Sequence, residues 1–341
     1  MGHDREPRAT VVVCVLNRET AIGTCLRSLD AQTYENLEVV VVDDGSTDGT
    51  PRRLVELAEE LRRIDLVVVT NPVNLGISAS RNVGVAAAGG DVVLFTDSDC
   101  VADERWVEEL VGAFAAPRVA AVGGTVVDRP GSYAERVFAG TSRTGVSKTQ
   151  GRVLVGNNMA FRREILERYG FDPAMSYYCD EDELAWRLRS DGHCLRHVPG
   201  AIVHHHHRLD VPAYLRMARL QGQGSARLWY KTGRYLGRDV ALWFVAALLG
   251  LVSIAVPPVG RLALATVALQ VGVLLFAELR YKGKGPVAAL AGLPLVLAYN
   301  VTKTLSVALT LARIALGGEG RVRASRRAWR RGRKRAPDAA A

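Results

Sequence analysis

Along residues 9 to 99, short apolar runs alternate with stretches whose apolar residues recur every three or four positions. ATVVVCVLN is a β-branched run of strand length, and ETAIGTCLRSLDAQ after it places Ile22, Leu26 and Leu29 on one helical face. LEVVVVDDGSTDGT repeats the scheme with a buried strand and a turn rich in Asp, Gly and Ser. PRRLVELAEELRR follows as a helix, with Pro51 suited to its first turn. DLVVVTN predicts a third strand, SASRNVGVAAAG a helix and DVVLFTDSD a fourth strand. Strands alternating with helices predict an α/β domain with a mostly parallel sheet covered on both faces.

After Asp99 the alternation loosens through VAAVGGTVV, LVGNNMAFRREILERYG and FDPAMSYYCDEDELAWRLRSDGHCLRHVPGAIVHHHH. These segments are expected to extend the sheet and supply the acceptor side of a cleft, which gives one domain over 8–207. Residues 208–238 hold seven Lys or Arg against one acid, with Trp229, Tyr230 and Tyr235 interleaved, the pattern of a helix at a membrane interface. VALWFVAALLGLVSIAVPPVG and LALATVALQVGVLLFAEL are each near the roughly 20 residues of a membrane helix. A third apolar block is interrupted by Pro294, Asn300, Lys303 and Arg313. The membrane region is thus 239–317 and the tail 318–341. An even number of crossings would keep that tail beside the N-terminal domain, with the third block either a kinked hairpin or partly interfacial. The Asn300-Val-Thr302 sequon inside this block reads as a chance match.

Charge changes the picture little. The formal net charge is +9, but RVRASRRAWRRGRKR alone carries nine basic residues. A like-charge tail after apolar blocks points to anionic lipid rather than to nucleic acid, and no nucleic-acid partner is expected. The five cysteines are scattered and lack the paired spacing of zinc sites, as reduced cytosolic thiols would be. MGHDREPRAT contains neither a secretory h-region nor the Ser or Thr of a myristoylation signal.

Chemistry gathers at the strand ends, where open α/β sheets bind ligands. Four such ends carry Asn17, the pair Asp43 and Asp44, Asn71, and the pair Asp97 and Asp99. Two carboxylates at i and i+2 in a turn can aim at one hard divalent cation, because the turn breaks the strand's alternation. Such a cation commonly also holds substrate phosphates, so DSD suits a metal-bound nucleotide diphosphate. Asn157 in GNNMAFRREIL offers an amide for sugar or acceptor hydroxyls, although a capping turn would use the same residues. Alternation over His204 to His207 would send two rings inward, and His204 is the candidate metal ligand.

VVVCVLNRETAIGTCLRSLDAQTYENLEVVVVDDGSTDGT, NLGISASRNVGVAAAGGDVVLFTDSD and DEDELAWRLR, in this order and spacing, resemble a family 2 glycosyltransferase of the GT-A fold. The likeness covers roughly residues 10 to 207. It implies that Asp97 and Asp99 hold Mn²⁺ or Mg²⁺ on the diphosphate of a nucleotide-sugar donor. Asp43 and Asp44 would then sit at the nucleoside, Asn17 at the pocket edge and Arg81 near the ribose or phosphates.

An inverting transfer needs a base opposite the leaving group. Aligning on Glu183, Leu184 and Arg187 puts it on Glu181, whereas matching the letters ED puts it on Asp182. An acidic first turn favoured by the helix dipole accounts for some of these acids. The first strand departs from the family's Pro-Thr-Tyr-Asn ending, reading Cys14-Val15-Leu16-Asn17. QGQGSARLW only approximates the QxxRW of processive synthases, which disfavours processive synthesis.

The reading is an inverting transferase in the plasma (inner) membrane, multi-pass, with its catalytic domain cytoplasmic and a lipid-linked or envelope glycan as acceptor. Two rivals stand beside it. One is a polyprenyl-phosphate glycosyltransferase, which needs no hydroxyl base. The other is a non-catalytic membrane scaffold that keeps the fold.

Overall fold

In a computed structural model the chain is described over residues 6–129, 131–138, 154–176, 178–206, 209–234, 238–280 and 284–335. The N-terminal residues 1–5, His207, Tyr235 and the tail beyond 335 lie outside the described residues. The elements run β1 (Ala9–Val15), α1 (Ile22–Asp30), β2 (Leu37–Asp43), α2 (Thr50–Glu60), β3 (Asp65–Thr70), α3 (Ile77–Ala87) and β4 (Val92–Asp97). They continue with β5 (Cys100–Ala102), α4 (Trp106–Gly112), β6 (Val119–Asp128), α5 (Tyr133–Phe138), β7 (Met159–Arg162), α6 (Arg163–Tyr169), α7 (Asp180–Ser190) and β8 (Cys194–His205). The remaining helices are α8 (Val211–Thr232), α9 (Arg238–Val252), α10 (Val259–Arg280), α11 (Pro286–Ala315) and α12 (Gly320–Arg335).

Two compact units result, and α5 groups with the C-terminal helices although it falls within 8–207. The first unit is an eight-stranded sheet of order β3-β2-β1-β4-β7-β6-β8-β5. β3, β2, β1 and β4 are parallel, as the alternating pattern predicts. Beyond β4 the sheet is mixed: β7 runs antiparallel to β4 and β6, and β5 antiparallel to β8. Each face is dry. Val11, Val13 and Val15 pack under α1, α2 and α4, whereas Val12, Val40, Val42, Val93 and Phe95 pack under α3, α6 and α7. Two-sided burial explains why these strands read as unbroken β-branched runs. At Gly84 of α3 an added Cβ would lie 2.3 Å from Val12 Cγ1, so this helix rests directly on β1.

The second unit is helical. α8 and α11 pack closely, with Gly222 so near the Lys303 carbonyl that a Cβ there would lie 2.4 Å from its oxygen. Ser306 Oγ donates to Arg219 O at 2.7 Å, and Tyr299 OH donates to Gln221 Oε1. Pro294 sits inside α11, which is one 30-residue helix rather than a hairpin. The first apolar block is the shorter one, since its helix ends at Val252 ahead of Pro257 and Pro258. Val259–Leu279 and Pro286–Ala315, with mean hydropathy 2.1 and 1.4, are long and apolar enough to cross a membrane by length and composition. α12 turns the basic run into a helix that lays Arg326 over the Tyr230 ring at 4.3 Å.

Candidate active site

The carboxyl ends of β1, β2 and β4 lie side by side in register, pairing Val15 with Asp43 and Cys14 with Asp97. Asn17 follows β1 with φ 53°, a left-handed conformation that Asn tolerates well. Its Oδ1 accepts from Thr47 N at 2.8 Å and Asp48 N at 3.3 Å, so it ties the β1 end to the β2–α2 turn. Asp44 is similarly engaged in holding backbone. It accepts from Leu75 N and Gly76 N at 2.8 and 3.0 Å, and from Asn71 Nδ2 at 2.9 Å. Asp43 differs. It is 1% exposed, Oδ1 accepts from Ser46 N at 3.0 Å, and Oδ2 is buried with no protein partner. A buried carboxylate oxygen without a partner is costly, which singles out Asp43 among the acids at the ends of β2 and β4.

Arg81 of α3 links the acidic turns. Buried on that helix, it donates from Nη1 to Asp180 Oδ2 at 2.5 Å and from Nη2 to Gly156 O at 2.9 Å, and Nη2 stands 3.8 Å from Asp97 Oδ1. Burial opposes its charge, but the carboxylates of Asp180 and Asp97 outweigh it and raise the guanidinium pKa. Asp97 itself is raised, by desolvation first and by Asp99, with Arg81 pulling the other way. The four acids opening α7 divide by partner. Asp180 holds Arg81, and Glu183 grips Arg187, which also donates to the carbonyls of Tyr169 and Gly170. Glu181 is half-buried with its pKa raised well above the carboxylate range, by desolvation and then by Asp180 and Asp182. Asp182 is buried beside it.

On the other side of Asp97, His205 Nε2 lies 3.2 Å from Asp99 Oδ1. Burial alone would lower this imidazole, yet Asp99, Asp97 and Asp128 raise it. Asp99, Cys100 and His205 each offer one ligand atom, all within 4.8 Å of one another. An oxygen and an imidazole nitrogen beside a second carboxylate, Asp97, form a donor set that fits Mn²⁺, with Mg²⁺ served mainly by the oxygens. The expected histidine, His204, is instead turned aside. Its Nε2 meets Asp103 Oδ1 at 2.9 Å and its Nδ1 accepts from Arg129 Nε at 3.2 Å. Register is the reason: β8 pairs His205 with Cys100, and bulges against β6 reset the alternation ahead of the histidines.

Asn157 is 5% exposed, its Nδ2 directed at Cys100 Sγ at 3.5 Å and its Oδ1 without a protein partner. Its neighbour Asn158 is structural, accepting from Trp106 Nε1 at 2.9 Å and donating to Thr125 O and Ala201 O. Reading the sequence missed His205, Asp180 and Cys100 as members of the cluster. The available signal was that DSDC and the histidine run both flank short strands able to pair. A groove of about 450 Å³ lined by Arg105, Glu109, Arg196 and Gly200 shares none of these residues.

The sheet order and the run of acids and cations along its carboxyl edge can be set beside known proteins. The model of Glycosyl transferase family 2 matches residues 10–170, and that of Glycosyl transferase family group 2 matches residues 92–300. The chain belongs to the family 2 glycosyltransferases. An uncharacterized glycosyltransferase of Haemophilus influenzae is 38% identical to this glycosyltransferase over 105 residues, 31% of this chain and 32% of its relative. The glucosyl-dolichyl phosphate glucuronosyltransferase of Haloferax volcanii is 35% identical over 179 residues, 48% of this chain and 56% of its own. The chain thus spans a third of the first relative and just over half of the second. Among solved structures, the mannosyltransferase PcManGT from Pyrobaculum calidifontis, in complex with GDP-Man and Mn²⁺, superposes with TM-score 0.57 at 24% identity. That alignment covers 91% of this glycosyltransferase and 88% of PcManGT, and it shows the GT-A fold.

Proposed function

We propose that this glycosyltransferase moves a sugar, with inversion, from a nucleotide-diphosphate sugar to a hydroxyl of a lipid-linked or envelope glycan acceptor. The observation that carries the reading is the gathering of charged groups at the carboxyl ends of the strands, where His205 meets Asp99 and Arg81 lies between Asp97 and Asp180, the neighbour of Glu181. Asp99 and His205, with Asp97 beside them, would hold Mn²⁺ or Mg²⁺. When bound, that cation offsets negative charge on the leaving nucleoside diphosphate. PcManGT, which shares the fold, was solved with GDP-Man and Mn²⁺, and this supports a nucleotide-sugar donor with a divalent ion.

Asp43 Oδ2 would accept a hydrogen bond from the nucleoside, while Asn17 and Asp44 keep the loops around it in place. Arg81 fixes the distance between the donor end and the acceptor end of the cleft by gripping Asp180 and Gly156 O. Glu181 takes the proton from the acceptor hydroxyl. A raised carboxyl pKa makes it a stronger acceptor once ionised, which suits a base working near neutrality. Asp180 and Glu183 are committed to Arg81 and Arg187, and Asp182 is more deeply buried, so Glu181 is favoured over Asp182.

A lipid-linked acceptor is supported by the Haloferax relative, whose name specifies a glucosyl-dolichyl phosphate. It is supported too by α10, whose Leu264 and Leu269 are 72% and 59% exposed on a helix of membrane-spanning length. Membrane attachment with the catalytic unit on the cytoplasmic side follows as part of the same proposal. The test is to incubate membranes containing the protein with a panel of nucleotide sugars, Mn²⁺ or Mg²⁺ and lipid extract. Consumption of one donor, lost in Glu181→Gln, is the expected result; no consumption of any donor would remove the reading.

A further inference from the structure

Next to the donor-side acids lies a thiol that the transfer reaction does not use. Cys100 is 1% exposed at the start of β5, directly after Asp99 and in register with His205 across the β5–β8 pair. Its Sγ, an oxygen of Asp99 and a ring nitrogen of His205 all lie within 4.8 Å of one another, and the last two are 3.2 Å apart. In a four-coordinate site with metal–ligand bonds of about 2.0 to 2.3 Å, donor atoms stand roughly 3.5 Å apart. A movement of about 1 Å therefore brings the sulfur onto a cation already held by the other two groups.

The surroundings of the sulfur are also those of a ligand. Asn157, nine-tenths buried, directs Nδ2 at Sγ from 3.5 Å, the kind of outer hydrogen bond that orients a coordinating thiolate, and its Oδ1 has no protein partner. The nearby thiol of Cys25 is directed elsewhere, donating to Asp97 O at 3.5 Å.

We propose that Cys100 is a sulfur donor to the cation held at Asp99 and His205, engaged by Zn²⁺ or Cd²⁺ and bypassed by Mg²⁺ and Mn²⁺. Thiolate is a soft ligand that prefers Zn²⁺ and Cd²⁺, while Mg²⁺ requires oxygen ligands in octahedral array. The exchange is balanced: the S–H bond breaks, the sulfur's electron pair forms the bond to the cation, and the proton leaves to solvent. Only a cation with real affinity for sulfur draws Cys100 in. The consequence is a site that soft ions occupy more tightly than the ions that serve transfer, so Zn²⁺ competes with Mn²⁺. This inference rests on the cation reading of Asp99 and His205.

The test uses the purified full chain in detergent, with exposed Cys194 replaced by Ser so that it contributes no signal. Cd²⁺ is titrated while the sulfur-to-metal charge-transfer absorption is followed, and Mn²⁺ binding is read separately by electron paramagnetic resonance. The expected result is a band in the parent and in Cys25→Ser, no band in Cys100→Ser, and Mn²⁺ binding kept in all three. Zn²⁺ should displace Mn²⁺ at least about tenfold less effectively in Cys100→Ser. A band of full intensity in Cys100→Ser, or none in the parent, overturns the proposal. Loss of Mn²⁺ binding in both Cys100→Ser and Cys100→Ala also overturns it, because the residue would then be structural. Absence of Mn²⁺ binding from the parent would sink the underlying cation reading instead.

Discussion

At the scale of single residues, the site assigns different work to side chains of the same type. Glu181, Asp180 and Glu183 share one helical turn, yet two are tied to arginines and the third carries a raised pKa. Glu181→Gln should lower the transfer rate by about 10²- to 10⁴-fold, with donor affinity little changed when measured by calorimetry. The base must be ionised, so activity should rise with pH, and its acid limb should lie above the usual carboxylate value of about 4.3. The stability sign is the opposite. A folded pKa above the unfolded one gives stability that is present at low pH and is lost as pH rises through the raised value. Glu181→Gln should therefore raise the melting temperature at pH 8 while slowing turnover, a pairing typical of functional groups held in a costly environment. The histidines make a second contrast. His205→Ala should remove Mn²⁺ binding as read by paramagnetic resonance, whereas His204→Ala, which loses only contacts with Asp103 and Arg129, should keep it.

At the scale of elements, the helices place these groups by how closely they approach the sheet. α3 carries Arg81 one turn before Gly84, and Gly84 rests on Val12 of β1 with no space for a side chain. Gly84→Val would push α3 outward and draw Arg81 away from Asp180 and Asp97. The expected cost is about 1 to 3 kcal/mol in thermal or urea unfolding, with a larger loss in turnover than stability alone explains. The β-α alternation of β1 to β4 was legible because each strand is a β-branched run buried on both faces and each helix repeats at its own period. The length of α11 was not. Pro294, Asn300 and Lys303 look like breaks in a one-dimensional pattern, but packing on α8 through Gly222 and Ser306 supports one unbroken helix.

At the scale of the whole molecule, the chain combines an α/β catalytic unit with a helical unit whose apolar side chains on α10 face outward. If those side chains meet lipid, the protein should stay with membranes through carbonate and high-salt washes. Leu264→Arg combined with Leu269→Arg should shift it toward the soluble or aggregated fraction, since a charge at a span's centre, where Leu269 lies, costs about 2.5 to 3.5 kcal/mol. Period, β-branching and acidic turns are local properties, and from them the sequence by itself determined the alternating fold, its two-sided burial and the acidic turns at its strand ends. Tertiary structure alone decided the antiparallel entry of β7, the grip of Arg81 on Asp180 across 99 positions, and the placing of His205, rather than His204, against Asp99. The last of these depends on strand register and on bulges along β8, where a shift of one residue exchanges the inward and outward faces.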